Sequence, residues 1–238
     1  MDFETPLIEA RLLRRYKRFL ADVDLGDGRP VTVHCPNPGS MMGLVHEGGR
    51  CYLSHSADPK RKYAHRLELV EVPGPGPRCL VGIHASLANT LVGEALRARD
   101  LFGLGAGSLR AEVPYGTRSR VDFLHEAENG TRTFIEVKNV HLMRREGLAE
   151  FPDCVTARGA KHLGELAEVV RAGDRAMLVY CIQWPGAERF SLAADIDPAY
   201  AQAAAKAAQA GVSFHALGTK VTPQSIVVTQ EIPVKTPV

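Results

Sequence analysis

Ser119-Arg120-Val121-Asp122-Phe123 and Ile135-Glu136-Val137-Lys138 are two strand-like segments joined across a turn at Asn129-Gly130. Asn-Gly supplies the positive φ angles of a tight hairpin, so the segments pair antiparallel. Successive side chains of a strand leave opposite faces. Glu136 and Lys138 therefore share one face, and Ile135 and Val137 point to a core on the other. Antiparallel pairing brings Asp122 beside Glu136. Two neighbouring carboxylates repel, and burial raises the cost. A divalent cation resolves that conflict. Mg²⁺ (or Mn²⁺) suits a site of one or two carboxylates completed by waters and a substrate phosphate. Lys138 is then placed to activate water or to stabilise charge on the phosphate. Together these parts suit metal-assisted phosphodiester hydrolysis. An isolated E-x-K reads equally well as a plain Glu136–Lys138 ion pair; the hairpin and Asp122 narrow the choice.

The flanking chain predicts the rest of a mixed α/β domain over residues 84–238. Ser86–Asp100 carries Leu87, Leu91, Ala95 and Leu96 at helical spacing, and Leu109–Tyr115 reads as a further strand. Cys154–Ala172 reads as a helix with Asp153 at its N-cap. Ala176–Gln183 is a continuous apolar run, the pattern of a strand buried on both faces. Pro198–Ala210 is an alanine-rich helix, followed by a strand at Val212–Leu217. Residues 1–83 read as all-β instead. Arg15–Leu25, a turn at Gly26-Asp27-Gly28 and Val31–Cys35 form strand, turn, strand. Strands at Arg50–Ser54, His65–Val72 and Cys79–Ile83 follow, with Pro73-Gly74-Pro75-Gly76-Pro77 as a turn. Five short strands in this length predict a small closed barrel, of the oligonucleotide-binding (OB) type or of a kind with no ligand.

The 238 residues carry 29 Lys+Arg against 27 Asp+Glu, a net charge of only +2. That excludes a protein that coats nucleic acid by bulk charge. The cations nevertheless run in clusters. Arg11, Arg14, Arg15, Lys17 and Arg18 interleave with Tyr16 and Phe19, and Lys60, Arg61 and Lys62 precede Tyr63. Cations with aromatics on a small barrel suit phosphates held electrostatically and bases stacked, or else a solubilised surface. Arg158, Lys161 and His162 fall near the start of the second helix, where they face phosphate or simply solvent. Glu94 reads as a helix carboxylate reaching over the sheet or as part of an exposed face, and Glu112 as a solvated strand residue. No run approaches the roughly 18 apolar residues of a membrane span. The N-terminus lacks the pattern of a signal peptide, and the five cysteines are scattered, which predicts a cytoplasmic protein with reduced thiols.

The chain resembles the bacterial sugar fermentation stimulation protein A family. The resemblance rests on Arg15–Val23, His34-Cys35-Pro36-Asn37, Lys60–Tyr63, Ser119–Phe123, Ile135–Lys138, and Phe151-Pro152-Asp153 through Arg158-Gly159 to Lys161-His162-Leu163. It implies an OB-fold-like barrel followed by a restriction-endonuclease-like domain of the PD-(D/E)xK type. It also implies DNA binding of low sequence specificity and a regulatory link to maltose metabolism; the residues themselves leave RNA open as a second candidate partner. The nuclease motif falls on Asp122, Glu136 and Lys138, with Glu94 as the helix carboxylate. Pro38 departs from the pattern, where a Thr is expected before the Gly. The expectation is a Mg²⁺-dependent nuclease, with a DNA-binding regulator that does not cleave, or a hydrolase of another phosphate ester, as alternatives.

Overall fold

The computed structural model describes residues 1–73, 79–116 and 119–235, so the Pro-Gly turn after Pro73 lies outside the described residues. The N-terminal unit contains β1 (Ile8–Tyr16), β2 (Leu20–Asp24), β3 (Pro30–His34), β4 (Arg50–His55), β5 (His65–Val72) and β6 (Cys79–Gly82). They pair in the order β3-β2-β1-β4-β5-β6, and β3 also meets β5 through His34 and Arg66. That last contact closes a five-stranded barrel from β1 to β5, and β6 is added outside the ring. Inside lie Leu12, Val23, Val33, Leu53, Leu67 and Val70. The alternating pattern of these strands is what buries them.

Arg15–Leu25, read above as one strand, is a hairpin. Lys17 and Arg18 take left-handed backbone angles, φ 49° and 63°, and Tyr16 pairs with Leu20 across the reversal. Neither residue type favours that region, which is why the sequence hides the turn. The turn is held from inside by Arg15. Its guanidinium donates to the carbonyls of Arg18, Asn37 and Gly39 at 2.8 Å each and of Ser40 at 3.2 Å.

The second unit runs α1 (Leu87–Ala98), β7 (Gly107–Tyr115), β8 (Ser119–Ala127), β9 (Arg132–Val140), β10 (Leu142–Arg145), β11 (Leu148–Phe151), α2 (Ala157–Arg171), β12 (Arg175–Ile182), β13 (Arg189–Leu192), α3 (Pro198–Ala210), β14 (Ser213–Val221) and β15 (Ile226–Glu231). Six of these strands form a mixed sheet in the order β15-β14-β12-β9-β8-β7, with β9, β12 and β14 parallel. The apolar run of β12 is buried on both faces, as its sequence predicts. Leu178, Tyr180 and Ile182 pack with α2 and α3, and Met177, Val179 and Cys181 pack with α1. A small sheet of β10, β11 and β13 was not foreseen. Nor is Asp153 an N-cap: α2 starts at Ala157, and the Thr156 side chain accepts from Gly159 N. Asp153 instead reaches the barrel, where its carboxylate accepts from Met41 N at 3.1 Å. Residues 1–3 leave the barrel as well and join the second unit, with Phe3 N donating to Gln224 O.

Because Arg15 is committed to backbone carbonyls, its removal leaves two partly buried acceptors, Asn37 O and Gly39 O, without their donor and frees the exposed carbonyls of Arg18 and Ser40. Arg15→Ala is expected to lower stability by about 2 kcal/mol. Lys17→Ala, on an exposed side chain, should change it by less than about 0.5 kcal/mol. Urea melts of the two variants check the difference.

Candidate functional site

The hairpin of β8 and β9 pairs Phe123 with Ile135 and Leu124 with Phe134. Beyond Phe123 the ladder opens. Asp122 places its own carboxylate where the next strand partner belongs, and Oδ2 accepts from Val137 N at 2.7 Å. The cause is visible on the far side of β8. The β7–β8 pairing skips Glu112 and Asp122, where Glu112 has φ 54°. Val121 and Leu124 lie in the α2-side core while Phe123 lies in the α1-side core, so β8 changes face at Asp122. This break in the ladder keeps the register on either side and turns the Asp122 side chain toward β9. Asn89 on α1 completes the environment, donating to Asp122 Oδ1 at 2.6 Å. Burial first, and then the neighbouring charge of Glu136, pushes Asp122 up to about 6.

Glu136 is 3% exposed. Lys138 Nζ donates to its Oε1 at 2.6 Å, and His162 Nδ1 bonds the same oxygen. Arg158 reaches the other ring nitrogen of His162 at 3.4 Å, as the four-residue spacing on α2 predicts. Burial alone would raise Glu136, but the hydrogen bond from His162 and the charge of Lys138 together bring it below the ordinary carboxylate value. Its second oxygen, Oε2, is buried without a partner, as are Glu165 Oε2 and the Tyr115 hydroxyl. Tyr115 lies in the field of Glu136, Glu165 and Asp122, and burial with those charges pushes its phenol well up.

Orphaned buried carboxylate oxygens are the natural place for a cation or ordered water. Oxygen donors of this kind fit Mg²⁺ or Mn²⁺, to be held by Asp122 and Glu136. Among the described residues no group of three or more His, Cys, Asp or Glu converges on a complete protein cage. The fit is therefore that of an ion whose coordination these residues fill only in part.

The other sequence candidates separate. Glu94 is not brought to this site. Its carboxylate is 48% exposed and pairs with the N-terminal ammonium of Met1 at 2.7 Å. Asn89, five residues earlier on α1, occupies the position next to Asp122 because the two residues face different sides of the helix. Lys161 sits beside Ser119 at 3.2 Å and Glu165 at 3.3 Å. Arg14 pairs with Asp22 at 2.8 Å and lies over the Tyr16 ring. Arg15 is structural, not a free cation. Lys17, Arg18, Lys60, Arg61, Lys62 and Arg158 are exposed. Asn89, Tyr115 and Glu165 were missed. Only the helical placement of Asn89 carried a signal, and it was an amide where a carboxylate was sought.

An OB-type barrel hydrogen-bonded to a mixed α/β domain, with a buried acid–lysine pair on its central hairpin, defines a two-domain class. The family model described as "SfsA N-terminal OB domain" matches residues 13–83, and "Sugar fermentation stimulation protein RE domain" matches residues 86–225. The chain belongs to the sugar fermentation stimulation protein (SfsA) family. A sugar fermentation stimulation protein homolog of Methylobacterium nodulans is 51% identical over 237 residues, spanning 99% of this chain and 100% of the relative. One of Chelativorans sp. is 52% identical over 227 residues, spanning 95% and 96%. The solved structure of Pyrococcus furiosus SfsA in complex with Ca²⁺ superposes with a TM-score of 0.84 at 27% identity, covering 99% of this chain and 98% of that one.

The raised value of Asp122 sets a sign. A carboxylate at about 6 when folded and 3.8 ordinarily holds its proton more tightly in the folded state. Stability from this group therefore falls as pH rises between those values. Without divalent metal, Asp122→Asn is expected to stabilise the protein by about 1–3 kcal/mol at pH about 8. The gain should vanish at pH about 4. Denaturant melts in EDTA at the two pH values measure it.

Proposed function

We propose that this protein is a divalent-metal-dependent nuclease of the PD-(D/E)xK type acting on DNA or RNA with low sequence specificity. The observation that carries the reading is the orphaned Oε2 of Glu136, buried beside Asp122 and flanked by Lys138 and His162. Bound between Asp122 and Glu136, Mg²⁺ or Mn²⁺ would supply Lewis-acid polarisation of the scissile phosphate and a more acidic water. Lys138 keeps an ammonium against that position and stabilises negative charge developing on the phosphate. Arg158 and His162 add donors at the start of α2, whose N-terminal dipole favours the same anion. The Ca²⁺ bound to the Pyrococcus furiosus relative supports a divalent ion of oxygen-ligand preference.

The barrel serves as the strand-holding surface. Lys17 and Arg18 project from the β1–β2 turn beside Phe19, which is 50% exposed. This turn lies close to the second unit. Ser40 Oγ donates to Asp153 O at 2.8 Å, and Arg18 lies within electrostatic reach of Cys154, just before α2. Lys60, Arg61 and Lys62 extend the basic surface on the β4–β5 loop. All five cysteines are unpaired, in keeping with a cytoplasmic location. No helix among the described residues is long and apolar enough to cross a membrane.

A second reading is a DNA-binding regulator, linked to sugar (maltose) metabolism, that does not cleave. It is favoured by one observation: Glu136 Oε1 already has both Lys138 and His162 as partners without any ion. One experiment separates the two. Single- and double-stranded DNA and RNA are incubated with the protein in Mg²⁺, Mn²⁺ or EDTA. The nuclease reading expects cleavage that EDTA abolishes and that Glu136→Gln and Lys138→Ala each reduce at least about 100-fold. Cleavage surviving EDTA and both variants overturns the metal site. Salt-sensitive binding without cleavage in either metal selects the regulator.

A further inference from the structure

The barrel closes at a seam. β3 pairs with β5 at His34 and Arg66, and Ser56, Arg61, Lys62, Tyr63 and Ala64 of the loop from Ser56 to Ala64 line the space beside that pair. That space is a recess of about 190 Å³. Three cations converge on it. Arg61 and Lys62 come from the loop, and neither has a carboxylate partner among the described residues. Arg66 comes from β5 and spends only its Nε on Glu68, at 2.6 Å. Glu68 lies behind Arg66, outside the lining, and offsets part of that one charge, which leaves Arg61 and Lys62 uncompensated. It is 1% exposed and already accepts from Ser54 at 2.6 Å, from Arg66, and from His84 at 2.8 Å. Its work is to fix the direction of the Arg66 guanidinium.

The loop is built to hold its shape. Ser56 N donates to Ala64 O at 2.8 Å, closing the loop at its base. Asp58 accepts from Lys60 N through its side chain at 3.0 Å and from Arg61 N through its carbonyl at 3.1 Å. Such self-bonded turns pre-organise the residues they carry. His34, on the opposite wall, reports the field inside. Burial first, and then the positive charges of Arg66, His84 and Arg61, lower its affinity for a proton, against a smaller opposite pull from Glu68. The recess resists another cation and is complementary to an anion.

Size and charge select the anion. The volume corresponds to about six waters, below the roughly 300–1,000 Å³ of pockets that enclose drug-sized ligands. It admits one phosphate with part of its sugar, not a run of nucleotides. A phosphomonoester carries about −1.5 to −2 at neutral pH, against −1 for a phosphodiester, and three converging cations favour the higher charge. We infer that this recess binds a terminal phosphomonoester, the phosphorylated end of a nucleic-acid strand, with Arg61, Lys62 and Arg66 as its cationic ligands. The inference rests on the nucleic-acid reading above and sharpens it. The barrel then recognises strand ends, and the α/β domain acts on a strand so anchored.

The test is fluorescence anisotropy in EDTA, so that cleavage plays no part. Short oligonucleotides of one sequence carry a 5′-phosphate, a 3′-phosphate or hydroxyls at both ends. One phosphorylated end should tighten binding about tenfold over the hydroxyl form. Arg61→Ala with Lys62→Ala should collapse that ratio to about one. Circular dichroism melts confirm that this exposed pair of changes leaves the fold intact. Equal affinity for all three oligonucleotides, or a preference that survives the variant, overturns the inference while leaving the nuclease reading untouched. A nucleoside monophosphate should compete better than inorganic phosphate. Equal competition would assign the recess to free phosphate and overturn the strand-end assignment. If no oligonucleotide binds, the nucleic-acid reading fails, and titrating nucleoside monophosphate against wild type and variant still decides the phosphate site.

Discussion

Glu136 is an ionised carboxylate buried in the middle of the main sheet, and much of the second domain is arranged around it. Such a charge costs several kcal/mol unless paired and hydrogen-bonded. Lys138 comes from the same strand face, but His162 must come from α2, so the helix is held in one register against β9. That register depends in turn on how α2 begins. Thr156 caps it, and Thr156 N donates to Asp197 Oδ2 at 2.8 Å. Asp197 is itself buried and caps α3 through Tyr200 N. One carboxylate thus sets the start of two helices, and the stacking of Tyr180 on Phe190, with the hydroxyl bond from Tyr180 to Tyr200, fills the space between them.

The barrel is tied into the same arrangement just upstream. Asp153, between β11 and α2, accepts from the backbone of the loop that Arg15 gathers. Asn37 of that loop donates to Ile83 O, at the end of the first domain, and Gln183 bridges His84 O and Asn139. The connection between domains is therefore polar and specific. It runs from the β1–β2 turn, through a loop with no regular structure, to the residues that precede the start of α2. A barrel attached in this way holds its exposed cations at a fixed offset from Glu136.

Much of this was legible because it depends on local chemistry. Asn129-Gly130 dictates its hairpin, and period-2 alternation dictates which side of β9 is core. The unbroken apolar run of β12 needs no tertiary information. Other features were hidden because distant partners decide them. Arg15 looks like one more cation in a basic cluster, and only the carbonyls brought in by residues 37–40 make it structural. Lys17 and Arg18 give no sign of left-handed backbone, since the strain is offset by that same guanidinium. Asp153 and Thr156 are both good caps by type, and the barrel's claim on Asp153 decides between them. Glu94 is lost to a chain terminus that no spacing rule places nearby.

The division between the two site carboxylates follows from the same geometry. Glu136 receives Lys138 and His162 on Oε1 and drops below the ordinary range, while Asp122 has only an amide from Asn89 and the N–H of Val137 as hydrogen-bond donors and rises to about 6. Neighbouring acids whose environments push them apart are characteristic of sites that handle protons and charge. Here the asymmetry also locates unspent negative charge. On Glu136 it lies at Oε2, which has no partner, and on Asp122 at a carboxylate with neutral donors alone. In the proposed nuclease, these poorly compensated oxygens would hold the cation, with Lys138 kept in its place on Oε1. The ion pair that makes the site look idle then becomes the device that keeps an ammonium beside the phosphate.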